Sequence, residues 1–155
     1  MQNLTVPQWD DLPALSWKEK IAFLTFQFLK LPQTQCPVMH SFENGFYVRR
    51  MNIPAGTLFL GRAHKVGHEC VLESGSVIQV LPDNKILFDA PHAVHTVPGF
   101  HMVVYALTDV VGVTIHENPK DLRDVDLLEA EIFEPLSTLT ALGEEVAARH
   151  ALLAA

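Results

Sequence analysis

The feature that most constrains the fold is a series of short apolar segments between residues 37 and 116, each bounded by turn-forming residues. Eight of these segments have the composition of strands: PVMHSF, FYVRRMNI, TLFLGRA, HECVLE, SVIQVL, KILFDA, FHMVVYAL and VVGVTIHE. The intervening LPDNKI predicts a tight hairpin, because Asp83 and Asn84 tolerate the left-handed backbone that such turns need. Short strands separated by Gly, Pro, Asn and Asp indicate an antiparallel sandwich or barrel.

Helical patterns flank this β region on both sides. Ser16 and Glu19 have the spacing of a capping box at the start of WKEKIAFLTFQFLKL, which indicates a helix over residues 17–31. Beyond the β region, DLRDVDLLEAEIF repeats apolar residues at helical spacing, and STLTALGEEVAARHALLAA is a candidate last helix with Ser137 as its cap. Gly143 counts against that last helix, because glycine is costly in a helix interior. We therefore expect a single domain in three parts: residues 1–36, residues 37–117 and residues 118–155.

Composition and charge exclude several classes of function. The chain has 155 residues, of which 48% are hydrophobic and 19% charged, and this suits one folded domain. The formal net charge is -7 and no segment is basic, so we do not expect nucleic-acid binding. No apolar run is long enough to span a membrane, and the N-terminus lacks the pattern of a signal peptide. The two cysteines make no disulfide framework and indicate a reducing compartment.

The stretch GTLFLGRAHKVGHECVLESG, residues 56–75, carries the candidate chemistry. Its spacing resembles the first motif of the cupin superfamily, in which Gly, His, His, Glu and Gly recur at the same intervals. The resemblance implies a jelly-roll barrel whose motif residues point inward and bind a divalent metal. Arg62 stands where the first histidine would be, His64 matches the second histidine, and His68 stands where the glutamate would be.

The second cupin motif is also altered. It would supply one more histidine after the turn Val97-Pro98-Gly99, but Met102 holds that position and His101 is its neighbour. Divalent transition metals usually need three or four matched protein ligands. We therefore expect no tightly bound metal, and at most a weak divalent site formed by His64, His68 and His101.

The remaining polar candidates have more than one interpretation. We expect Arg62 and Met102 to face the barrel interior, where Arg62 either pairs with an internal acid or binds a small anion. Without a metal, His64 and His68 form a hydrogen-bonded pair in a polar barrel mouth. A third ligand could also come from His92 or His95, which lie nearby in sequence, whereas His40, His116 and His150 have the contexts of scattered surface positions.

A longer resemblance covers roughly residues 40–134. HSFENGFYVRRMNIPAGTLFLGRAHKVGHECVLESGSV and VPGFHMVVYALTDVVGVTIHENPKDLRDVDLLEAEIF are similar to small cupin-like proteins encoded by tailed phages and prophages. The order and spacing of the GT, histidine, PG-turn and YAL elements carry this similarity. It implies a cupin-like jelly roll over residues 37–117, with an N-terminal helix and a C-terminal helical extension.

Two hypotheses about function follow. The first is a non-enzymatic component of a phage particle or of its assembly, located in the host cytoplasm and then in the virion. The second is a metal-dependent cupin enzyme or small-molecule binder that uses His64 and His68. The lost ligand positions favour the first hypothesis, so we expect no enzymatic activity and no cofactor beyond a weakly bound divalent metal.

The predicted first helix bears on partners because it is apolar nearly all round. Four aromatic side chains on it are candidate interface residues: Trp17, Phe23, Phe26 and Phe28. Such a helix either lies in the core of its own domain or packs one face against a neighbouring subunit. We expect a homo-oligomer, or attachment to other virion proteins, with this helix at the interface.

Overall fold

A computed structural model describes the protein over residues 15–154, with side-chain environments described for residues 15–149. The chain forms two compact units, which are described separately. One, here called the β-unit, spans Thr34–Glu134. The other, here called the helical unit, combines the segment that ends at Gln33 with the segment that begins at Pro135.

The β-unit contains nine strands and one helix. In chain order these are β1 Val38–Glu43, β2 Phe46–Ile53, β3 Leu58–Leu60, β4 His68–Ser74, β5 Ser76–Val80, β6 Lys85–Asp89, β7 His92–Thr96, β8 Val103–Ala106 and β9 Val110–Glu117, followed by a helix at Val125–Ile132. They form two sheets, a five-stranded sheet of order β1-β2-β9-β4-β7 and a four-stranded sheet of order β3-β8-β5-β6. Every pairing is antiparallel, and the predicted mainly β fold with helices before and after it is confirmed.

The sequence pattern located most strands but missed one. β2 and β9 coincide with FYVRRMNI and VVGVTIHE, and the LPDN turn joins β5 to β6 as expected. The missed strand is β7, HAVHT, which is short and holds two histidines among few β-branched residues. It is a strand because it pairs with β4 from His92 opposite Leu72 to Thr96 opposite His68. That pairing is tertiary, so local composition does not reveal it.

Register in the five-stranded sheet places its polar side chains in rows. Tyr47 on β2 lies opposite His116 on β9, and His68 on β4 lies opposite Thr96 on β7. The pairing of Glu69 with Ile115 brings His68 level with His116. One row across the sheet therefore reads Tyr47, His116, His68 and Thr96, and the next row on the same face reads Arg49, Thr114, Cys70 and Val94.

Two apolar clusters hold the β-unit together. The first lies between the sheets, and its buried members are Ile53, Val77, Val104, Ala106 and Val110. The second joins Tyr47 to the helix at Val125–Ile132 and to Phe133 just after it. Asp124 caps that helix by accepting hydrogen bonds from the backbone N–H groups of Asp126 and Leu127. The helix therefore docks next to the row that holds His116 and His68.

The helical unit is a pair of helices, α1 Trp17–Phe28 and α3 Leu136–Ala154; the helix of the β-unit is α2. The predicted capping box is confirmed, because Ser16 Oγ accepts from the Glu19 N–H at 3.2 Å and Glu19 accepts from the Ser16 N–H at 2.9 Å. The predicted cap at Ser137 is wrong, since α3 begins one residue earlier. None of the helices in the described residues is long and apolar enough to cross a membrane.

Gly143 explains how α1 and α3 come together. A Cβ at this position would lie 2.1 Å from the backbone oxygen of Ala22 and 2.7 Å from Cβ of Phe26. The glycine that counted against a helix is therefore the residue that lets the backbones of the two helices approach closely. An ion pair between Arg149 and Glu19 at 2.7 Å joins the same two helices.

Candidate metal centre and cavity

A cavity of about 370 Å³ lies inside the β-unit between its two sheets. Most of its wall is apolar, and the side chains of Met51, Phe59, Leu72, Phe88, Met102 and Val104 form much of it. Six polar side chains gather at one end, and Gln79 and His92 are further polar members of the lining: the six are Arg49, Arg62, His64, His68, Thr96 and Thr114. The volume equals that of roughly a dozen water molecules in the liquid, which is enough for a small organic molecule.

Three histidines, here called the His triad, meet at the polar end: His64, His68 and His116. The ring centroids of His64 and His68 lie 3.8 Å apart, those of His68 and His116 4.8 Å, and those of His64 and His116 5.3 Å. One candidate ligand atom from each ring lies within 4.8 Å of the other two. His64 and His68 line the cavity, while His116 packs against both rings and is only 1% exposed.

The segment that follows α2 fixes the backbone around His64. His64 pairs with Phe133 in an isolated antiparallel bridge, and the Lys65 N–H donates to the carbonyl of Ile132 at 2.7 Å. On the other side, the N–H of Gly99 donates to the His64 carbonyl at 2.8 Å. The turn between β7 and β8 and the end of α2 therefore hold His64 from two sides.

Hydrogen bonds orient the other two imidazoles. The Thr96 hydroxyl lies 3.2 Å from the His68 carbonyl and 2.8 Å from His68 Nδ1. These two contacts hold the His68 ring in place from its Nδ1 side. In His116 the hydrogen bond is made by the other nitrogen: Nε2 lies 3.1 Å from Thr114 Oγ1, so Nδ1 is the nitrogen of that ring available to a ligand.

Two nitrogens of the His triad are buried and have no hydrogen-bond partner within the described residues. They are Nε2 of His64 and Nδ1 of His116. Buried polar atoms are nearly always paired, because leaving one unpaired costs about 1–3 kcal/mol. These two atoms therefore point to a ligand that the protein part of the structure does not supply.

The environment keeps all three imidazoles uncharged at neutral pH. Burial, followed by the neighbouring His68, His116 and Arg49, lowers the pKa of His64 to about 3. Burial, followed by His68 and Arg49, also lowers the pKa of His116 to about 3. The pKa of His68 is lowered, again mainly by burial. Neutral imidazole is the form that binds metal ions, so no proton has to leave before coordination.

The His triad fits a divalent transition metal in number and charge state, and in two of its three ring spacings. In a tetrahedral zinc site with three histidines the ring centroids lie roughly 5 Å apart. The distances of 4.8 and 5.3 Å to His116 match this value, whereas the 3.8 Å between His64 and His68 requires those two rings to separate by about 1 Å. Cys70 is not among the side chains whose ligand atoms converge here, and burial raises the pKa of its thiol to about 11.

Two arginines give the polar end of the cavity its positive charge. Their guanidinium carbons lie over the Phe133 ring, that of Arg49 at 4.8 Å and that of Arg62 at 4.7 Å from its centroid. Phe133 also contacts His64, with ring centroids 4.6 Å apart. Glu129 pairs with Arg49 at 3.5 Å, whereas Arg62 donates to the backbone carbonyl of Glu134 at 3.1 Å.

The structure places the predicted site residues as follows. Arg62, His64, His68 and Met102 all line the cavity. His101 does not join the His triad: it is buried, and its Nδ1 lies 3.3 Å from the carbonyl of Gly61. The sequence placed His116 at the surface, and that interpretation is wrong. His40 is exposed as expected, with its Nδ1 2.6 Å from the Tyr47 hydroxyl.

His116 escaped prediction because both faces of β9 are covered. Val113 and His116 lie on opposite faces of the strand, and both are buried. In VVGVTIHE the apolar residues Val111, Val113 and Ile115 alternate with Gly112, Thr114 and His116, so polarity alone assigns the histidine to the outer face. The signal that identifies it is the register of β9 with β4, which aligns His116 with His68.

Comparison with known proteins gives a likeness of fold. Neither a family model nor a curated protein sequence matches the chain. It is similar to a cupin-2 domain protein of Shewanella frigidimarina at 12% identity, covering 61% of this chain and 91% of that one, with a TM-score of 0.43. A cupin superfamily protein of Desulfitobacterium hafniense gives 9% identity, 59% and 85% coverage and a TM-score of 0.47. An RmlC-like cupin with a double-stranded β-helix fold from Methanocaldococcus jannaschii is 11% identical, with 57% of this chain and 85% of that one covered and a TM-score of 0.45.

Proposed function

We propose that the β-unit binds one divalent transition metal ion through the His triad and holds a small organic molecule beside it in the cavity. This is the metal-dependent enzyme or small-molecule binder among the two functions considered above. The observation that carries it is the pair of buried, unpartnered nitrogens on His64 and His116, within 4.8 Å of a ligand atom on His68.

The chain's own residues have separate parts in this function. His64, His68 and His116 would hold the metal, and Thr96 and Thr114 would keep two of the rings turned toward it. A bound divalent ion would supply Lewis acidity at the end of the cavity. Three protein ligands leave coordination positions open, which is the arrangement of catalytic rather than structural zinc sites. The apolar wall would exclude water from those positions and bind the organic part of the guest.

Titration with Co²⁺ tests the proposal, because the visible absorption of cobalt reports its coordination. Protein freed of metal by dialysis against a chelator should bind one Co²⁺ per chain, and Zn²⁺ should displace it. His116→Asn should lose this binding. The matched control is His95→Asn, which changes an exposed histidine paired with Glu69 on the same sheet and should bind as the parent does. Failure of the parent to bind, or equal binding by His116→Asn, would contradict the proposal.

We keep assembly into an oligomer or a phage particle as a separate proposal. It is supported by the end of α1 and the residues after it, where Leu29 is 48% and Leu31 45% exposed and Phe26 and Phe28 are half-buried. Exposed apolar side chains that follow one another favour contact with another subunit. Sedimentation velocity of the full chain tests this. A Leu29→Lys, Leu31→Lys double variant should dissociate an assembly, and a monomeric parent would contradict the proposal.

A further inference from the structure

The charge of the cavity is unbalanced at its polar end. Arg49 and Arg62 both line it, and none of the described residues that line it is acidic. Glu129 offsets Arg49 in part, at 3.5 Å, but lies outside the lining. A buried positive charge without a counter-charge costs several kcal/mol, so such groups are normally paired.

Each arginine also has a side-chain N–H group that makes no hydrogen bond within the described residues. The Nε–H groups of Arg49 and Arg62 are buried and have no hydrogen-bond partner among the residues that the structure describes. The side chain of Arg49 is only 15% exposed, and its position over Phe133 restricts how it can turn toward water. A guanidinium with unused donors in a cavity is suited to carboxylate or phosphate oxygens, which it binds with charge-assisted hydrogen bonds.

The opposite end of the cavity has one further unpaired polar atom. Nε2 of His92 is buried without a partner in the described part of the chain, and the ring stacks on Phe88 with centroids 4.2 Å apart. His92 lies opposite Leu72 and Thr96 lies opposite His68, so four residues of strand separate the two ends. That is a distance of roughly 13 Å. Between them the wall is mostly apolar, with Cys70, Val94 and Met102 among its side chains, and the buried amide of Gln79 is a further polar group of the lining.

From this arrangement we infer that the cavity binds an elongated organic anion. Its carboxylate or phosphate head pairs with Arg49 and Arg62 beside the His triad, its apolar body fills the middle, and a hydrogen-bonding group at its far end reaches His92. The inference deepens the proposed function by naming the class of guest. The anion would also balance the charge that a divalent metal adds next to the two arginines, and for that part the inference rests on the metal site.

Calorimetric titration of the full chain with decanoate and decylamine tests the charge of the guest. The two probes share an extended chain that suits the length of the cavity, and they carry opposite charges. Decanoate should bind, both with and without Zn²⁺, and decylamine should bind at least tenfold more weakly. Decyl phosphate in a parallel titration shows which anionic head binds better. Equal affinities for decanoate and decylamine, or binding of neither decanoate nor decyl phosphate, would overturn the inference.

Neighbouring residues on β2 provide a matched control. Arg49→Met should weaken decanoate binding roughly tenfold to hundredfold, because it removes charge-assisted hydrogen bonds. Arg50→Met should leave it unchanged, since Arg50 is partly exposed and pairs with Glu73 away from the cavity. If Arg49→Met loses its cooperative thermal transition and so fails to fold, Arg62→Met is tested instead. The comparison of decanoate with decylamine on the parent protein tests the charge of the guest independently of either variant.

A further titration tests the contact proposed between His92 and the far end of the guest. ω-Hydroxydecanoate should bind more tightly than decanoate to the parent protein, and His92→Phe should remove that preference while still binding decanoate. A preference that survives His92→Phe would overturn the position assigned to the far end. The two proposals also fail separately. If the protein binds decanoate but binds neither Co²⁺ nor Zn²⁺, only the metal site is contradicted. If it binds a metal ion but shows no preference for anions, only the class of guest is contradicted.

Discussion

The two ends of the β-unit's interior come from the same strands but carry opposite kinds of side chain. At one end Ile53 on β2 and Val110 on β9 pack in a cluster with residues of β5 and β8. At the other end the same two strands bring Arg49 and His116 to the polar end of the cavity. The apolar end stabilises the fold through burial, at roughly 25 cal/mol per Å² of apolar surface.

The polar end, in contrast, lowers the stability of the fold. The unpaired nitrogens of His64, His116, Arg49 and Arg62 oppose folding, since each buried polar atom without a partner costs about 1–3 kcal/mol. A strand pair that is stabilising at one end and costly at the other indicates that the costly end is kept for binding.

Acid should destabilise the metal-free protein through the polar end. The pKa values of His64 and His116 are lowered from 6.5 to about 3, so between these limits the unfolded chain binds more protons than the folded one. Their contribution to stability is complete above pH 6.5 and is lost as pH falls toward 3. We expect the free energy of unfolding, measured by urea titration, to drop by on the order of 1 kcal/mol per pH unit for each histidine.

The control for this experiment is His116→Leu. It should show a shallower loss of stability between pH 6.5 and 4.5, because one titrating group is gone. The same replacement removes a buried unpaired nitrogen, so stability at pH 7 should stay level or rise. An unchanged pH slope in His116→Leu would show that this histidine is not held neutral by the fold.

The apolar end should respond to loss of volume. Ile53→Ala removes a side chain that is 6% exposed in the main cluster, and such changes typically cost about 2–5 kcal/mol. Urea unfolding at pH 7 measures this cost. Metal affinity should stay within about threefold, because additivity holds for sites that share no partner. A large loss of metal affinity with little loss of stability would reverse the assignment of the two ends.

The support given to His68 predicts an effect on metal affinity. Thr96→Val keeps the shape of the side chain but removes the oxygen 2.8 Å from His68 Nδ1. Loss of such an orienting partner usually weakens metal binding roughly tenfold to a hundredfold. Competition between the protein and a chromogenic zinc chelator measures the change. Thr138→Val, which alters a threonine in α3, is the matched control and should leave the affinity unchanged.

The sequence predicts the apolar end better than the polar end. Strand alternation and turn residues locate most of the strands that carry Ile53 and Val110, because local composition encodes them. Motif spacing also locates Arg62, His64 and His68. Local composition does not locate His116, since its partners are forty-eight and fifty-two residues away in sequence and only register connects them. Arg49 is hidden in the same way, because it is adjacent to Arg50 and the pair has no preferred face.

The smallest expected change contrasts two histidines on the paired strands β4 and β7. His68 and His95 belong to adjacent positions of the ladder, where His68 lies opposite Thr96 and Glu69 lies opposite His95. His68 is buried in the cavity wall, whereas the contact of His95 Nδ1 with Glu69, 2.6 Å long, is more than half exposed on both sides. Exposed contacts of this kind contribute about 0–1 kcal/mol even when both partners are charged, so His95→Asn should shift the urea midpoint only slightly and leave metal and decanoate affinities unchanged. His68→Asn should abolish metal binding. If His95→Asn weakened metal binding as much as His68→Asn does, the outer face of this sheet would have to take part in the site, and the division between a binding face and a solvated face would be wrong.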